Sequence, residues 1–417
     1  MCYIPGVAEN NGTEQNDEDA PRTVTVNFQR NLYGLRHLVN DLYPVAEIRD
    51  KSARDRLHNI KQQIADVISS KQAQDEPLEP DTQQRLDATC DAIVNIMSSY
   101  DYFGMNYNIS EQRTTLLLTS AFMLLVGYFD FLLSDLVHCY YHKYPEALGD
   151  KALLTFGELK ECSTIDEAID YLVSKKVESV SFRSFTDQIS FFKNELKVPL
   201  QQDATIWQPI QEIILRRNIL VHNDGFVNTR YIRGITALHA QPPVQGTRLS
   251  VDSPYFLHSF AHILVGGIIF AQTCWRKWFH DQLSLADSRL SNVIDNSLSF
   301  KDYDVAYRLA LFSKQVTTAD EQNRRLLDIY YCLVLKRLGK DQDFNLETTK
   351  LEQATLNLPC QVAFSAIKGL RNEFYEYLRR AAQNDQVPKG ELQNSALYED
   401  FRQEEDFALQ LSRIFPH

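Results

Sequence analysis

No two of this chain's cysteines are spaced as CxxC, and the seven of them (Cys2, Cys90, Cys139, Cys162, Cys274, Cys332 and Cys360) are scattered and odd in number. That pattern argues against a disulfide framework and a thiolate zinc site, and predicts a reduced intracellular protein whose cysteines mostly fill a core. Positive charge is also in deficit: 43 Lys and Arg stand against 55 Asp and Glu, a net charge of −12. A general nucleic-acid coat needs a broad basic face, so that class is set aside, whereas an enzyme with one local basic pocket is not. The N-terminus lacks a basic start followed by an apolar stretch, so no secretion signal is expected. A clean membrane span is missing too. Thr114–Phe129 is apolar but bounded by Arg113 and Asp130, short of the about 20 residues a span needs, and Phe256–Trp275 contains His258, His262 and Gln272. Both are expected to be buried core helices of a soluble, cytoplasmic protein with no membrane contact.

What is present reads as helix. Residues 1–24, rich in Asn, Asp, Glu and Gly, are expected to form a disordered acidic tail. An N-terminal helical region over 25–108 is predicted from three apolar stripes: Leu32, Leu35, Leu38, Val39 and Leu42, then Leu57 to Ile68, then Leu86 to Met97, with Pro77 and Pro80 between the last two. The block 109–285 opens with a long apolar helix from Glu111 to Tyr144, continues through a helix over Thr205–His222, and closes with another over Pro254–His280. Between the last two, Asn223–Val251 has little helical periodicity and contains Gly225, Gly234, Pro242-Pro243 and Gly246, an irregular insertion of the kind that often carries function. The C-terminal region, 286–417, is helical again, with Tyr303–Phe312, Asn323–Leu338 and Gln361–Ala381 suited to a helical-hairpin array, though at no fixed repeat period. Strand signals are sparse throughout, so the fold class is all-α.

The chemistry concentrates at the end of the Thr205–His222 helix, in Gln211-Glu212-Ile213-Ile214-Leu215-Arg216-Arg217-Asn218-Ile219-Leu220-Val221-His222-Asn223-Asp224-Gly225. Asn223-Asp224-Gly225 is a stop signal, which places His222 in the last turn. Arg216 has Glu212 four positions earlier, and a surface ion pair accounts for it. Arg217 has Ile213, Ile214, Leu220 and Val221 as helical neighbours; a guanidinium on that face requires an anion from the fold or a ligand, and a phosphate matches its planar fork. Asn218 and His222 share a face, while Arg217 lies about 140° away from His222 around a straight helix. A loosened helix end, or two copies of the motif facing each other across a two-fold axis, would bring them together. From Arg216 to Ser250 five arginines (Arg216, Arg217, Arg230, Arg233 and Arg248) face one acid, Asp224, a local reversal of charge able to steer a polyanion.

Arg217-Asn218, three further residues, His222 and the following Asn223-Asp224-Gly225 resemble the motif of the HEPN superfamily of all-α domains, which carries an arginine, a polar residue and a histidine after four to six positions. The resemblance extends over about 109–285, through Asp224–Asn228, Tyr231 and Gly246–Val251 into the following apolar helix. It implies a helical-bundle domain with additional N- and C-terminal helical segments, acting as a homodimeric, metal-independent endoribonuclease in defence, toxin or RNA-decay systems. The RNA 2′-OH would attack the adjacent phosphate, leaving a 2′,3′-cyclic phosphate and a 5′-OH. His222 would transfer a proton, Arg217 would hold the phosphate and stabilise charge on its oxygens, and Asn218 would orient His222 or bond the phosphate. Arg216, Arg230 and Arg233 are the expected RNA-binding residues. No cofactor or metal is expected, and a regulatory protein partner is compatible with such an enzyme.

Two rivals stand beside this reading. A catalytically silent HEPN-like dimerisation or adaptor module would fit the acidic charge and long flanks, with Arg217 neutralised by an acid elsewhere in the fold. A metal-dependent hydrolase could use His138 and His142, or His258 and His262, each pair four apart, but neither has the glutamate of HExxH or a clear third ligand.

Overall fold

The computed structural model describes residues 20–72, 113–149, 153–201 and 203–415. Among them the regular structure is entirely helical apart from one isolated antiparallel bridge, Phe226 to Arg248, so the protein is all-α. In chain order the helices are α1 (Ala20–Gln72), α2 (Arg113–Lys143), α3 (Phe156–Glu161), α4 (Ile165–Ser181), α5 (Phe185–Asn194), α6 (Ala204–Asn223), α7 (Thr229–Ala237), α8 (Ser253–Trp278), α9 (Leu283–Ser299), α10 (Tyr303–Ser313), α11 (Glu321–Arg337), α12 (Asp341–Glu352), α13 (Leu358–Lys368) and α14 (Arg371–Gln383), followed by short helices to Ile414. Two compact units divide the chain. Unit 1 comprises 1–29, 128–211 and 261–417; unit 2 comprises 30–127 and 212–260.

Helix boundaries follow local chemistry. Thr155 caps α3 and shares a reciprocal pair of hydrogen bonds with Glu158, and Thr164, Ser184 and Asn228 accept from the third residues of α4, α5 and α7. Three stretches differ from what the sequence predicts. Helix α1 begins at Ala20, inside the stretch expected to be disordered, because Val24, Thr25 and Phe28 are buried. The two N-terminal stripes are one helix that runs through Pro44. Its buried face holds Leu32, Leu35 and Val39, while Leu38 and Leu42 are exposed. Third, Gln361–Ala381 is not continuous: Gly369, at φ +70°, ends α13 in the left-handed region, and α14 restarts at Arg371. The stripe from Leu86 to Met97 lies outside the described residues.

In unit 1 the C-terminal helices pack on their neighbours in succession, α9 on α10, α10 on α11, α11 on α12 and α13, and α13 on α14. Leu290, Ile294, Leu309, Ile329, Leu333 and Val362 are fully buried there. Helices α2 and α8 are both long and apolar enough to cross a membrane by length and composition. Two thirds of the most apolar window of α8 is buried inside the protein (67%), which accounts for its composition as a core helix. The corresponding window of α2 is 44% buried, with Leu116, Leu124 and Phe131 exposed.

Candidate functional site

Helix α6 ends where its sequence says it should. Asp224 enters the left-handed region at φ +48° and Gly225 follows at φ +79°. The Gly225 N–H donates back to the Ile219 carbonyl at 3.0 Å. A Cβ on Gly225 would stand 2.4 Å from the Leu249 backbone oxygen, which cannot swing aside as a side-chain tip could. Gly225→Ala should therefore destabilise unit 2 by at least ~2 kcal/mol. Gly246→Ala, at a similar φ of +81° but with open space around the Cβ, should cost only about 1 kcal/mol. Urea denaturation of the two variants checks the ordering.

The stretch after α6 is not the irregular insertion its composition suggests. Asn228 caps a two-turn helix, α7, whose Tyr231 and Ile235 pack with Ile219 of α6 and with Val227, flanked by Leu215, Ile232 and Leu249. The chain then returns alongside itself. Val227 N–H donates to the Thr247 carbonyl at 2.9 Å, and Leu249 N–H to that of Gly225 at 2.9 Å, on either side of the Phe226–Arg248 bridge. Gly234 hid this helix from a reading of periodicity. It sits where Leu215 of α6 presses closest, and a Cβ there would stand 2.6 Å from the Leu215 Cδ1.

The residues singled out by sequence divide into three groups. Arg217 and Asn218 are half-buried, and Arg217 Nη1 donates to Asn218 Oδ1 at 3.2 Å. His222 is exposed in the last turn of α6. Arg230 and Arg233 are exposed on α7. Arg216, in contrast, is already engaged. Its Nε donates to Glu212 Oε1 at 3.0 Å, and its guanidinium lies over the Tyr255 ring, 3.8 Å from the centroid. The expected surface ion pair is in fact four-fifths buried on the arginine side, with 19% of that side chain exposed. Arg248 is likewise paired, with Asp224 at 2.8 Å.

Glu212 is the hub that sequence reasoning missed. Its carboxylate accepts from Arg216 and from the hydroxyls of Tyr231 at 3.0 Å and Tyr255 at 2.6 Å, and so ties α6 to α7 and to the start of α8. Burial, and then the adjacent carboxylate, pushes the Tyr231 phenol up to about 12 and that of Tyr255 higher still. Both hydroxyls are held neutral in the folded state, so their stabilisation is complete below the ordinary tyrosine value near 10. It is lost as pH rises toward the folded values. For Tyr231 this amounts to about 2–3 kcal/mol lost between about pH 10 and pH 12. Tyr231→Phe should flatten the fall of Tm across that window; an unchanged slope would show that the phenol does not titrate against Glu212.

The two histidine pairs have other partners. His138 and His142 stack at 6.1 Å, and His142 Nδ1 lies 3.7 Å from Asp170 Oδ1. His262 Nδ1 faces Arg308 Nη2 at 3.2 Å. Among the described residues, no three His, Cys, Asp or Glu side chains converge as metal ligands would. Compared with protein-family models, curated proteins and solved structures, the chain matches none.

Proposed function

We propose that this chain is a metal-independent endoribonuclease with a HEPN-like reactive centre at Arg217, Asn218 and His222. The observation that carries the reading is the setting of these residues at the end of α6. A half-buried arginine is bonded to its neighbouring amide, and an exposed imidazole stands one turn on, in the last turn of the helix. Exposed Arg230 and Arg233 follow on α7, available to a phosphate backbone. In the proposed reaction the 2′-oxygen of RNA bonds to the adjacent phosphorus as the bond to the 5′-oxygen breaks. One proton leaves the 2′-OH and one reaches the 5′-oxygen. His222 carries one of these transfers, the imidazole being suited to give or take a proton near neutrality. Arg217 offers its fork to the phosphate oxygens as charge builds on them. Arg217 and His222 lie on different sides of one helix, so a two-fold homodimer that faces two motifs is part of the proposal.

The test is cleavage of total RNA with a chelator present. The proposal expects cuts that leave a 2′,3′-cyclic phosphate and a 5′-OH, and expects resistance where the cleaved nucleotide carries 2′-deoxyribose. Loss of cutting on chelation, or efficient cutting at the 2′-deoxy position, overturns it. A silent adaptor is the second reading, favoured by one observation: Arg216 is neutralised within the fold by Glu212 and Arg248 pairs with Asp224 at the surface, which weakens the local positive field. Failure to cut any RNA, with the motif facing a partner protein instead, would move that reading ahead.

A further inference from the structure

Unit 1 contains a cavity of about 610 Å³ lined by residues from the approach to and first turn of α6, the end of α8, and α10 with the segment after it. That volume lies within the range of small-molecule sites. Its charge runs against the rest of the protein. Arg276, Lys277 and Arg308 line it against one carboxylate, Asp203, in a chain whose net charge is −12.

Two of these cations are buried without being fully matched. Arg276, 9% exposed, meets Asp287 at 2.8 Å and donates to the Thr317 carbonyl at 2.6 Å, yet its Nε–H has no acceptor among the described residues. Arg308, 18% exposed, meets His262 Nδ1 at 3.2 Å, but its nearest carboxylate, on Asp304, is 3.8 Å away and itself mostly in solvent, so its charge is only weakly matched. Burial holds both guanidinium groups below the ordinary arginine value. A largely buried cation whose nearest carboxylate is distant and in solvent, as at Arg308, is stabilised by an anion whose oxygens match its fork, and phosphate is the natural one. Lys277 is exposed at the same cavity and can add its charge.

The remaining lining selects what the phosphate is attached to. Trp207 and Phe312 present aromatic surface. The Trp207 plane is fixed by its Nε1–H donating to the Gln201 carbonyl at 2.8 Å and by an edge contact with Phe270 at 5.9 Å. Thr205, Thr273, Gln315 and Thr317 stand around the same space. Thr205 Oγ1 already donates to Asp203 Oδ1 at 2.6 Å and Thr273 Oγ1 to the Ile269 carbonyl at 2.7 Å. Their oxygens can still accept from a sugar hydroxyl or a heteroaromatic N–H, a contact that a hydrocarbon chain cannot make. We infer that this cavity binds a phosphorylated heteroaromatic compound about the size of a nucleoside monophosphate, with its phosphate at Arg276, Arg308 and Lys277 and its ring against Trp207.

Calorimetric titration of the full chain with AMP, GMP, UMP, adenosine and inorganic phosphate tests the inference. At least one monophosphate should bind with a Kd below about 100 µM, and about tenfold or more tighter than adenosine or phosphate alone. Arg308→Gln and Lys277→Glu should each weaken it about tenfold, the latter with Tm unchanged. Lys277 is exposed, so its variant carries the test if Arg308→Gln fails to fold. Absence of binding by all three monophosphates, equal binding of adenosine, or equal binding of phosphate as an adventitious anion overturns the inference. So does binding that survives both cavity variants and is lost in His222→Ala, which would place the nucleotide at the end of α6.

Discussion

On the proposed reading, His222→Ala lowers RNA cleavage by about 10²-fold or more, the contribution expected of a positioned proton carrier, while leaving Tm unchanged. The two halves of that expectation have separate grounds. His222 is exposed in the last turn of α6, and the turn is closed by Gly225 and Asp224, so the side chain contributes little to packing. A large loss of rate with no loss of stability therefore points to chemistry. Arg217→Lys is the companion variant. It keeps the charge but replaces a planar fork with a point donor, and should lose about tenfold or more in kcat/KM if the guanidinium holds phosphate oxygens. Arg217→Ala is a poorer probe, because Arg217 is half-buried and bonded to Asn218, so its removal mixes packing with catalysis. Cleavage that survives in His222→Ala at the wild-type rate would sink the assignment of this residue.

The division between what was legible in the sequence and what was not follows the range of each interaction. The end of α6 was legible because Asn223, Asp224 and Gly225 act on the backbone within one turn of themselves. The Glu212–Arg216 pair was legible for the same reason, at a spacing of four on one helix. Its burial was not, because it is made by Tyr231 and Tyr255, which lie 19 and 43 residues beyond Glu212 and are brought in by the fold. Helix α7 was hidden by Gly234 and by its brevity, since two turns give too few apolar positions to establish a period. Continuity of α1 through Pro44 and the break at Gly369 are opposite errors. Pro44 removes one backbone donor and α1 nevertheless continues past it, whereas Gly369, at positive φ, ends α13. The candidate site itself shows the same limit. Local sequence placed Arg217, Asn218 and His222 on one helix end but could not say which arginines the fold would neutralise.

Glu212→Ala is expected to produce the largest loss of stability at the site, about 3–5 kcal/mol, measured as the opening free energy of the α7 amides by hydrogen exchange. The carboxylate accepts from three donors, so its removal leaves three groups stranded: the largely buried Arg216 guanidinium and the hydroxyls of Tyr231 and Tyr255. A buried ion whose partner is deleted accounts for most of the loss, and unpaired hydroxyls add about 1–3 kcal/mol each when no water reaches them. These contributions share one acceptor and do not sum. Glu212→Gln keeps an acceptor oxygen and loses the charge, so it should fall between wild type and alanine. The informative variant is the double one. If the damage comes from a stranded cation, Glu212→Ala with Arg216→Met should be more stable than Glu212→Ala alone, because the methionine can remain against the Tyr255 ring without a charge to satisfy. If the double variant is no better than the single, the two phenols carry the network instead. The same pair of variants bears on the site. Arg230 and Arg233 ride on α7, and α7 is tied to α6 through Tyr231 and Glu212. On the proposed reading, a weakened hub should loosen the exposed arginines before it touches His222, raising KM for RNA while kcat holds.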